Sequence, residues 1–202
     1  MRLAGVSVKK KRKCKVTTQS NHRYPVSPNL VRRNFQADKP NTVWVSDITY
    51  IKTLEGWLYL AIVLDLYSRK VVGWSLARRM TIAMVKQALM MAIGRRQPEP
   101  GLIHHSDQGI QYACDEYRQL LRSYGIVSSM SRSGNCLDNA VAERFFRTLK
   151  TEKSNDWRSM SAEEVKLDVV DFIEMFYNGE RLNSFTGYLS PNNYEKTQNN
   201  LV

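Results

Sequence analysis

The chain has few cysteines, and they are far apart. Cys14, Cys114 and Cys136 are odd in number, and no CxxC or HxxxH pair accompanies them. This pattern argues against a disulfide framework and against a structural zinc site, and it favours a reducing cytoplasm. The pair His104-His105 does not change this conclusion, because adjacent strand residues point to opposite faces of a sheet.

Long apolar runs are also absent. No run reaches the roughly 18 residues that a membrane-spanning helix needs. The basic N-terminal stretch has no apolar segment behind it, which argues against a secretory signal. The sequence also lacks a G-x-x-x-x-G-K-[ST] phosphate loop, a G-x-G-x-x-G fingerprint and a G-x-S-x-G elbow. We therefore expect neither a membrane protein nor an enzyme built on one of these three motifs.

Acidic residues are scarce in the first fifth of the chain. Residues 1–40 contain eleven Lys or Arg and a single acid, Asp38, whereas the net charge of the whole chain is +11. The densest basic cluster consists of Lys9, Lys10, Lys11, Arg12, Lys13 and Lys15. We predict a largely irregular basic arm over residues 1–40 that binds nucleic-acid phosphates. A solvated tail or a site for an acidic membrane surface is the alternative, and the lack of an amphipathic face favours nucleic acid.

The rest of the chain predicts a mixed α/β sheet flanked by helices. Short turns separate the first three strands, which is typical of an antiparallel meander, and two further strands alternate with helices. Ser161 and Glu164 form a capping box before the last helix. The predicted strands are Thr42–Thr53, Trp57–Asp65, Lys70–Leu76, Gly101–Ser106 and Ile126–Met130, and the predicted helices are Thr81–Arg95, Asp115–Tyr124, Asn139–Lys153 and Ala162–Asn178.

Three acidic residues occupy positions where acids are unusual. Asp47 lies within an apolar strand, where alternation puts it on the face of Val45 and Ile51, Asp107 follows the fourth strand, and Glu143 lies in the first turns of a helix. Carboxylates are the ligands that magnesium prefers, and two ions roughly 4 Å apart activate the attacking oxygen and stabilise the leaving one. The structural alternatives are an ion pair for Asp47 and a solvated helix face for Glu143.

Several strings of the sequence resemble one family. Thirty-five residues separate Asp107 from Glu143. The strings VWVSDITYI (43–51), LDLYSR (64–69), LIHHSDQGIQY (102–112), SRSGNCLDNAVAERFFRTLKTE (131–152) and YNGERLNSFTGYLSPNNYE (177–195) resemble the downstream-frame transposases of the IS-three insertion-sequence family. The spacing resembles the DDE core of retroviral integrases.

This resemblance implies a ribonuclease-H-like fold and a catalytic triad of Asp47, Asp107 and Glu143 that binds two Mg²⁺ or Mn²⁺ ions. It implies cleavage at the ends of a mobile element and joining of the freed 3′ hydroxyl to DNA. Residues 41–155 would form the catalytic core, and residues 156–202 would complete it with a helix and tail. Asn139 and Lys150 fall on the helix motif of the family and would help to shape the site and hold DNA. Independently of the resemblance, Arg147 and Lys150 share the helix face of Glu143, where they would contact phosphates.

The implied partners are the terminal inverted repeats of the element, its target DNA, further copies of this chain in a synaptic complex, and a companion protein from an upstream reading frame. The implied location is the bacterial cytoplasm, at the nucleoid. Such transposases start with a longer N-terminal part that contains a helix-turn-helix, and we expect this chain to begin near the end of that part.

The chain departs from the family pattern at Asn183, where the family has histidine, and at Thr186, where it has leucine. Two rival functions remain open. One is a non-catalytic DNA-binding remnant of a transposase, which the intact set of three acids disfavours. The other is a ribonuclease H acting on RNA–DNA hybrids, which the matching strings outside the acids disfavour.

Overall fold

The described strands form one mixed five-stranded sheet. A computed structural model describes residues 22–132, 135–153 and 156–199, so the basic cluster at residues 9–15 lies outside the described residues. The strands are β1 (Val43–Thr53), β2 (Gly56–Asp65), β3 (Val71–Ala77), β4 (Ile103–Ser106) and β5 (Val127–Met130). Their order is β3-β2-β1-β4-β5.

The pairing of the strands follows the predicted pattern. The β1–β2 and β2–β3 pairs are antiparallel, whereas β1 pairs with β4 and β4 with β5 in parallel. This confirms the predicted meander with two further strands. β1 lies at the centre of the sheet, and the apolar β2 beside it is buried on both faces along most of its length.

Helices cover both faces of the sheet. On one face, α4 and α5 enclose a core with Val45, Ile51 and the apolar side chains of β2. On the other face, α1, α2 and α3 pack over Trp44 and Val72. The helices are α1 (Ile82–Arg96), α2 (Ile110–Ala113), α3 (Asp115–Ser123), α4 (Ala140–Lys153), α5 (Ala162–Asp171) and α6 (Pro191–Asn199). No helix of the described ranges is long and apolar enough to cross a membrane.

Gly73 sets the distance between β3 and α1. A Cβ atom at this position would lie 2.2 Å from the carbonyl oxygen of Ala88 and 2.8 Å from the Cβ of Ala92. These are backbone and short side-chain atoms that have no flexible end to move away. The glycine and the two alanines therefore allow the helix to approach the sheet closely.

Some helix ends differ from the predictions. α1 continues past Gly94 to Arg96, because Gln97 in a left-handed conformation (φ 43°) caps it through a hydrogen bond to the carbonyl of Ile93. The predicted helix over Ala162–Asn178 is α-helical only to Asp171. A π-helical segment follows over Phe172–Glu180. The predicted capping box of Ser161 and Glu164 is present at the start of α5.

The π-helical segment is fixed to the sheet by one amide. The Asn178 side chain accepts a hydrogen bond from the Val71 N–H (3.0 Å) and donates one to the Val71 carbonyl (2.9 Å).

The sequence predictions missed α6, which follows the π-helical segment. An ion pair between Glu195 and Arg96 at 2.8 Å anchors this helix. Glu195 also accepts a hydrogen bond from the Ser68 hydroxyl at 2.7 Å, so α6 is tied to α1 and to the turn after β2.

Candidate active site

The parallel pairing of β1 with β4 brings two of the three acids to neighbouring strands. Val43 pairs with Ile103 and Val45 with His105, an offset of 60 residues. Two residues beyond the last pair, the same offset relates Asp47 to Asp107, whose negative charge acts on Asp47. Asp107 directly follows the last residue of β4. The carboxyl ends of parallel strands form the edge at which α/β sheets bind ligands.

Asp47 is in an unfavourable electrostatic position. It is half-buried, and burial, followed by the negative charge of Asp107 and to a smaller extent that of Glu143, raises its pKa well above the ordinary value. A hydrogen bond from the Ile48 N–H to its Oδ1 (2.8 Å) opposes this effect. Asp47 therefore lies within electrostatic reach of both other acids, and their charges repel its carboxylate.

α4 presents Glu143 and Lys150 toward this region. Its buried residues Phe145 and Leu149 pack in the core, whereas Glu143 in its first turn is exposed. Lys150 is half-buried, lies 4.6 Å from the centroid of the Tyr50 ring, and its positive charge lowers the pKa of Asp47. Arg147 is exposed on the same helix.

Asn139 connects α4 to β1. Its Nδ2 donates a hydrogen bond to the Ser46 carbonyl at 3.1 Å, next to Asp47 in the chain. Only 4% of Asn139 is exposed, so little of it is available to DNA, and its contact positions the start of α4. Its role in holding DNA stays a prediction.

The three acids have the donor chemistry of ligands for a divalent cation. Their donor atoms are hard oxygens of the kind that magnesium takes. Burial and then the charge of Asp107 raise the pKa of Asp47, and a bound cation would offset both effects. Within the described ranges, however, no three His, Cys, Asp or Glu side chains lie close enough to hold one ion. The donor chemistry fits a metal, whereas bringing all three acids onto one ion requires a movement.

A buried aspartate orders the segment before α4. The Asp138 carboxylate is 0% exposed and binds Arg132 and Arg33, each at 2.9 Å. Asn29 donates a further hydrogen bond to it at 3.0 Å. These contacts hold its pKa well below the ordinary value, the Arg132 hydrogen bond being the largest cause. Residues 22–40, which contain no helix or strand, are thereby fixed to the segment that positions Glu143.

The two adjacent histidines point to opposite faces, as the sequence predicted. The Nε2 of His104 lies 2.8 Å from the Ser46 hydroxyl and 3.1 Å from the Tyr117 hydroxyl. The ring of His105 contacts the Ser129 hydroxyl at 2.8 Å and the Asp138 carbonyl at 3.0 Å. Both rings are buried and act as structural hydrogen-bonding groups.

His104 makes stability depend on pH. Burial lowers its pKa to about 3, against 6.5 for the free side chain. Between these values the unfolded chain binds a proton that the folded chain does not, so stability falls as the pH is lowered, by about 1.4 kcal/mol per pH unit. In urea titrations at pH 6 and pH 5, His104→Gln is expected to lose about 1.2 kcal/mol less stability than wild type, slightly under the limiting slope because the unfolded imidazole is only partly protonated at pH 6. An equal loss in both proteins would contradict the prediction.

Comparison with known proteins assigns the chain to a family. Residues 37–136 match the family model "Integrase core domain", and residues 143–198 match a second model of the same description. The transposase for insertion sequence element IS904 of Lactococcus lactis is 46% identical over 84% of this chain and 67% of its own length. Transposase InsF for insertion sequence IS3A of Escherichia coli is 42% identical over 96% of this chain and 68% of its own length.

The chain belongs to the IS3 (IS-three) family of insertion-sequence transposases. It is the transposase/integrase catalytic core domain, and so a polynucleotidyl transferase. The ribonuclease-H-like fold is confirmed by solved structures: the HTLV-2 integrase catalytic core domain, in complex with magnesium and in trimeric form, is similar with a TM-score of 0.60. That likeness covers 78% of this chain and 98% of the viral one at 17% identity.

Sequence reasoning missed several polar groups of this transposase core. Tyr112 is buried, and its hydroxyl has no partner in the described part of the chain. Burial raises the pKa of this phenol, and Tyr117, Asp47 and Asp107 add smaller contributions in the same direction. The contacts of Asp138 with Arg33, Arg132 and Asn29 were not predicted either. Tyr112 lies in one of the family strings, which was the only available signal for it.

Proposed function

We propose that the chain cleaves DNA at the ends of a mobile element and joins the freed 3′ hydroxyl to target DNA, with Asp47, Asp107 and Glu143 as ligands of two Mg²⁺ or Mn²⁺ ions. The observation that carries the proposal is the parallel register of β1 and β4, which makes neighbours of Asp47 and Asp107. When bound, the metal ions supply a polarised attacking oxygen and a stabilised leaving oxygen.

The side chains of the protein have distinct roles in this proposal. Asp47 and Asp107 provide two fixed ligands on adjacent strands, and Glu143 provides a third from a helix that closes toward them. Lys150, at the edge of the acids, neutralises charge on the DNA backbone, and the exposed Arg147 adds a phosphate contact. Asn139 holds the start of α4 against β1 and so aligns Glu143.

The proposed partners extend beyond the described residues. The basic cluster at residues 9–15 would bind phosphates of the element end, as part of an arm over residues 1–40 that precedes a core at 41–155 and a completing segment at 156–202. Because the viral neighbour is described in a trimeric form, we expect further copies of this chain in the synaptic complex. A companion protein from an upstream frame would assist at the bacterial nucleoid.

The test uses DNA duplexes that carry the inverted repeats flanking the gene, labelled at one 5′ end. We expect specific nicking and strand-transfer products with Mg²⁺ or Mn²⁺ and none with EDTA. Magnesium should also raise the Tm of wild type but not that of Asp107→Asn, since only a protein that binds the ion is stabilised by it. Salt-sensitive binding of the duplex without cleavage would instead identify a remnant, and preferential cleavage of an RNA–DNA hybrid a ribonuclease H.

A further inference from the structure

A cavity separate from the three acids lies beside α4. Its volume is about 320 Å³, and Arg69, Arg144 and Arg181 line it together with Tyr177, Phe185 and Tyr188. No acidic residue is among the residues that line it. α4 contributes Arg144, which lies roughly a third of a turn around the helix from the face of Glu143 and Lys150. One helix thus forms a wall of both the carboxylate site and this arginine pocket.

Arg69 is a buried cation at the base of the pocket. It is 7% exposed, and its guanidinium lies 3.5 Å from the centroid of the Phe185 ring. Its Nη2 donates a hydrogen bond to the Phe35 carbonyl at 2.7 Å, whereas its buried Nη1 has no partner among the described residues. No ion pair to a described carboxylate compensates its charge. Asp65 and the Phe185 ring stabilise this charge only in part. A buried cation without a direct ion pair is costly, and an anion in the pocket would reduce that cost.

The other two arginines leave the pocket positively charged. Arg144 is exposed, and within the described ranges no carboxylate pairs with it. Arg181 pairs with Glu152 at 3.1 Å, but both side chains are about one third exposed, where such pairs contribute little. Burial, with the nearby charge of Arg144, lowers the pKa of Arg69 to about 10, so the buried guanidinium of Arg69 stays charged at neutral pH.

Aromatic rings at the rim add a second recognition element. Tyr188 is 69% exposed and Phe185 38% exposed, although both are large side chains of the kind that usually pack inside. Exposed aromatic rings beside arginines are typical of sites where an unpaired base stacks while the adjacent phosphate binds a cation. A free phosphate or an acidic peptide would not need these rings.

We propose that the pocket of Arg69, Arg144, Arg181, Phe185 and Tyr188 binds a phosphate of a DNA strand and stacks the unpaired nucleotide next to it. This inference rests on the proposed function, since it assigns the site to the DNA substrate. Arg144 and Arg181 contact the phosphate from the pocket wall, Tyr188 stacks on the base, and Arg69 contributes charge from below Phe185.

The test measures binding without metal, so that it does not depend on cleavage. Fluorescence anisotropy of a labelled single-stranded oligonucleotide is recorded in EDTA over a range of NaCl concentrations. Arg144→Gln is expected to weaken binding about five- to tenfold and to lower the slope of log K against log salt by about 0.7, as for one lost phosphate contact. Tyr188→Ala is expected to weaken single-strand binding roughly tenfold, whereas Tyr188→Phe, which keeps the ring, binds as wild type.

The matched controls are Arg122→Gln and Tyr124→Ala on the exposed end of α3. Equal losses in the controls, or unchanged affinity in folded Arg144→Gln and Tyr188→Ala, would overturn the pocket as a DNA site. Loss of self-association with unchanged DNA affinity would overturn it in favour of a subunit interface. Weaker binding in the pocket variants alone supports it even if wild type fails to cleave DNA, and that failure would refute only the proposed catalysis. Crosslinking of 5-iodouracil DNA to Tyr188, mapped by mass spectrometry, supports it directly.

Discussion

Replacing Asp107 with asparagine is expected to lower the rate of DNA cleavage at least about a thousandfold while the chain stays folded. Such a loss corresponds to roughly 4 kcal/mol of transition-state stabilisation, which is the scale of a metal ion's contribution. The amide keeps the size of the side chain and removes the negative charge that the metal requires. Single-turnover cleavage of an end-labelled inverted-repeat duplex measures the effect.

The same substitution at Asp47 separates chemistry from stability. Asp47→Asn should abolish cleavage and at the same time raise the Tm, because it removes a half-buried carboxylate that Asp107 repels. Each kcal/mol gained corresponds to roughly 2–4 °C for a chain of this length. The matched control is Asp171→Asn, an exposed acid at the end of α5. A lower Tm in Asp47→Asn, or cleavage above a tenth of wild type in Asp47→Asn or Asp107→Asn, would contradict the assignment.

The largest loss of stability is expected for Asp138→Ala, at about 2–4 kcal/mol. Its charge-assisted hydrogen bonds to Arg132 and Arg33 disappear, and such bonds contribute about 1.5–3 kcal/mol each. The loss stays below that sum because both arginines are partly exposed and regain water. Urea denaturation measures it, and Asp115→Ala, an exposed acid in the first turn of α3, is the control.

The effect of Asp138 also has a definite pH dependence. Its pKa is depressed in the folded protein, so its contribution is complete above the unfolded value of about 3.9 and is lost as the pH falls through the folded value. The difference between wild type and Asp138→Ala should therefore be constant from pH 7 to about pH 5 and should shrink below about pH 4. A difference that grows toward acid pH would show that the ion pairs do not carry it.

The sequence predicted the sheet well because strand signals are local. Alternation along 43–53 and the short turns after it were sufficient for the meander and for the face of Asp47. The position of Asp107 at a strand end was also readable. The register that puts it beside Asp47 was not, since it is set by contacts across 60 residues.

The features that the sequence did not predict depend on distant partners. The π-helical segment follows an ordinary apolar stripe, and what fixes it is the Asn178 amide on Val71, 107 residues away. The contact between Asp138 and Arg33 joins segments that are 105 residues apart in the chain. The three arginines of the pocket, Arg69, Arg144 and Arg181, come from a turn, a helix and the segment after the π-helix. No local sequence pattern therefore predicts the pocket.

The helix α4 has little room for substitution. Phe145 and Leu149 are committed to the core, Glu143 and Lys150 to the proposed metal site and its DNA, and Arg144 to the second pocket. A polar residue in place of Phe145 or Leu149 destabilises the fold. A neutral residue in place of Glu143, Lys150 or Arg144 weakens a proposed contact. Among related mobile elements, this helix is therefore where drift in the sequence should be slowest, whereas exposed positions such as Leu167 on α5 are free to vary.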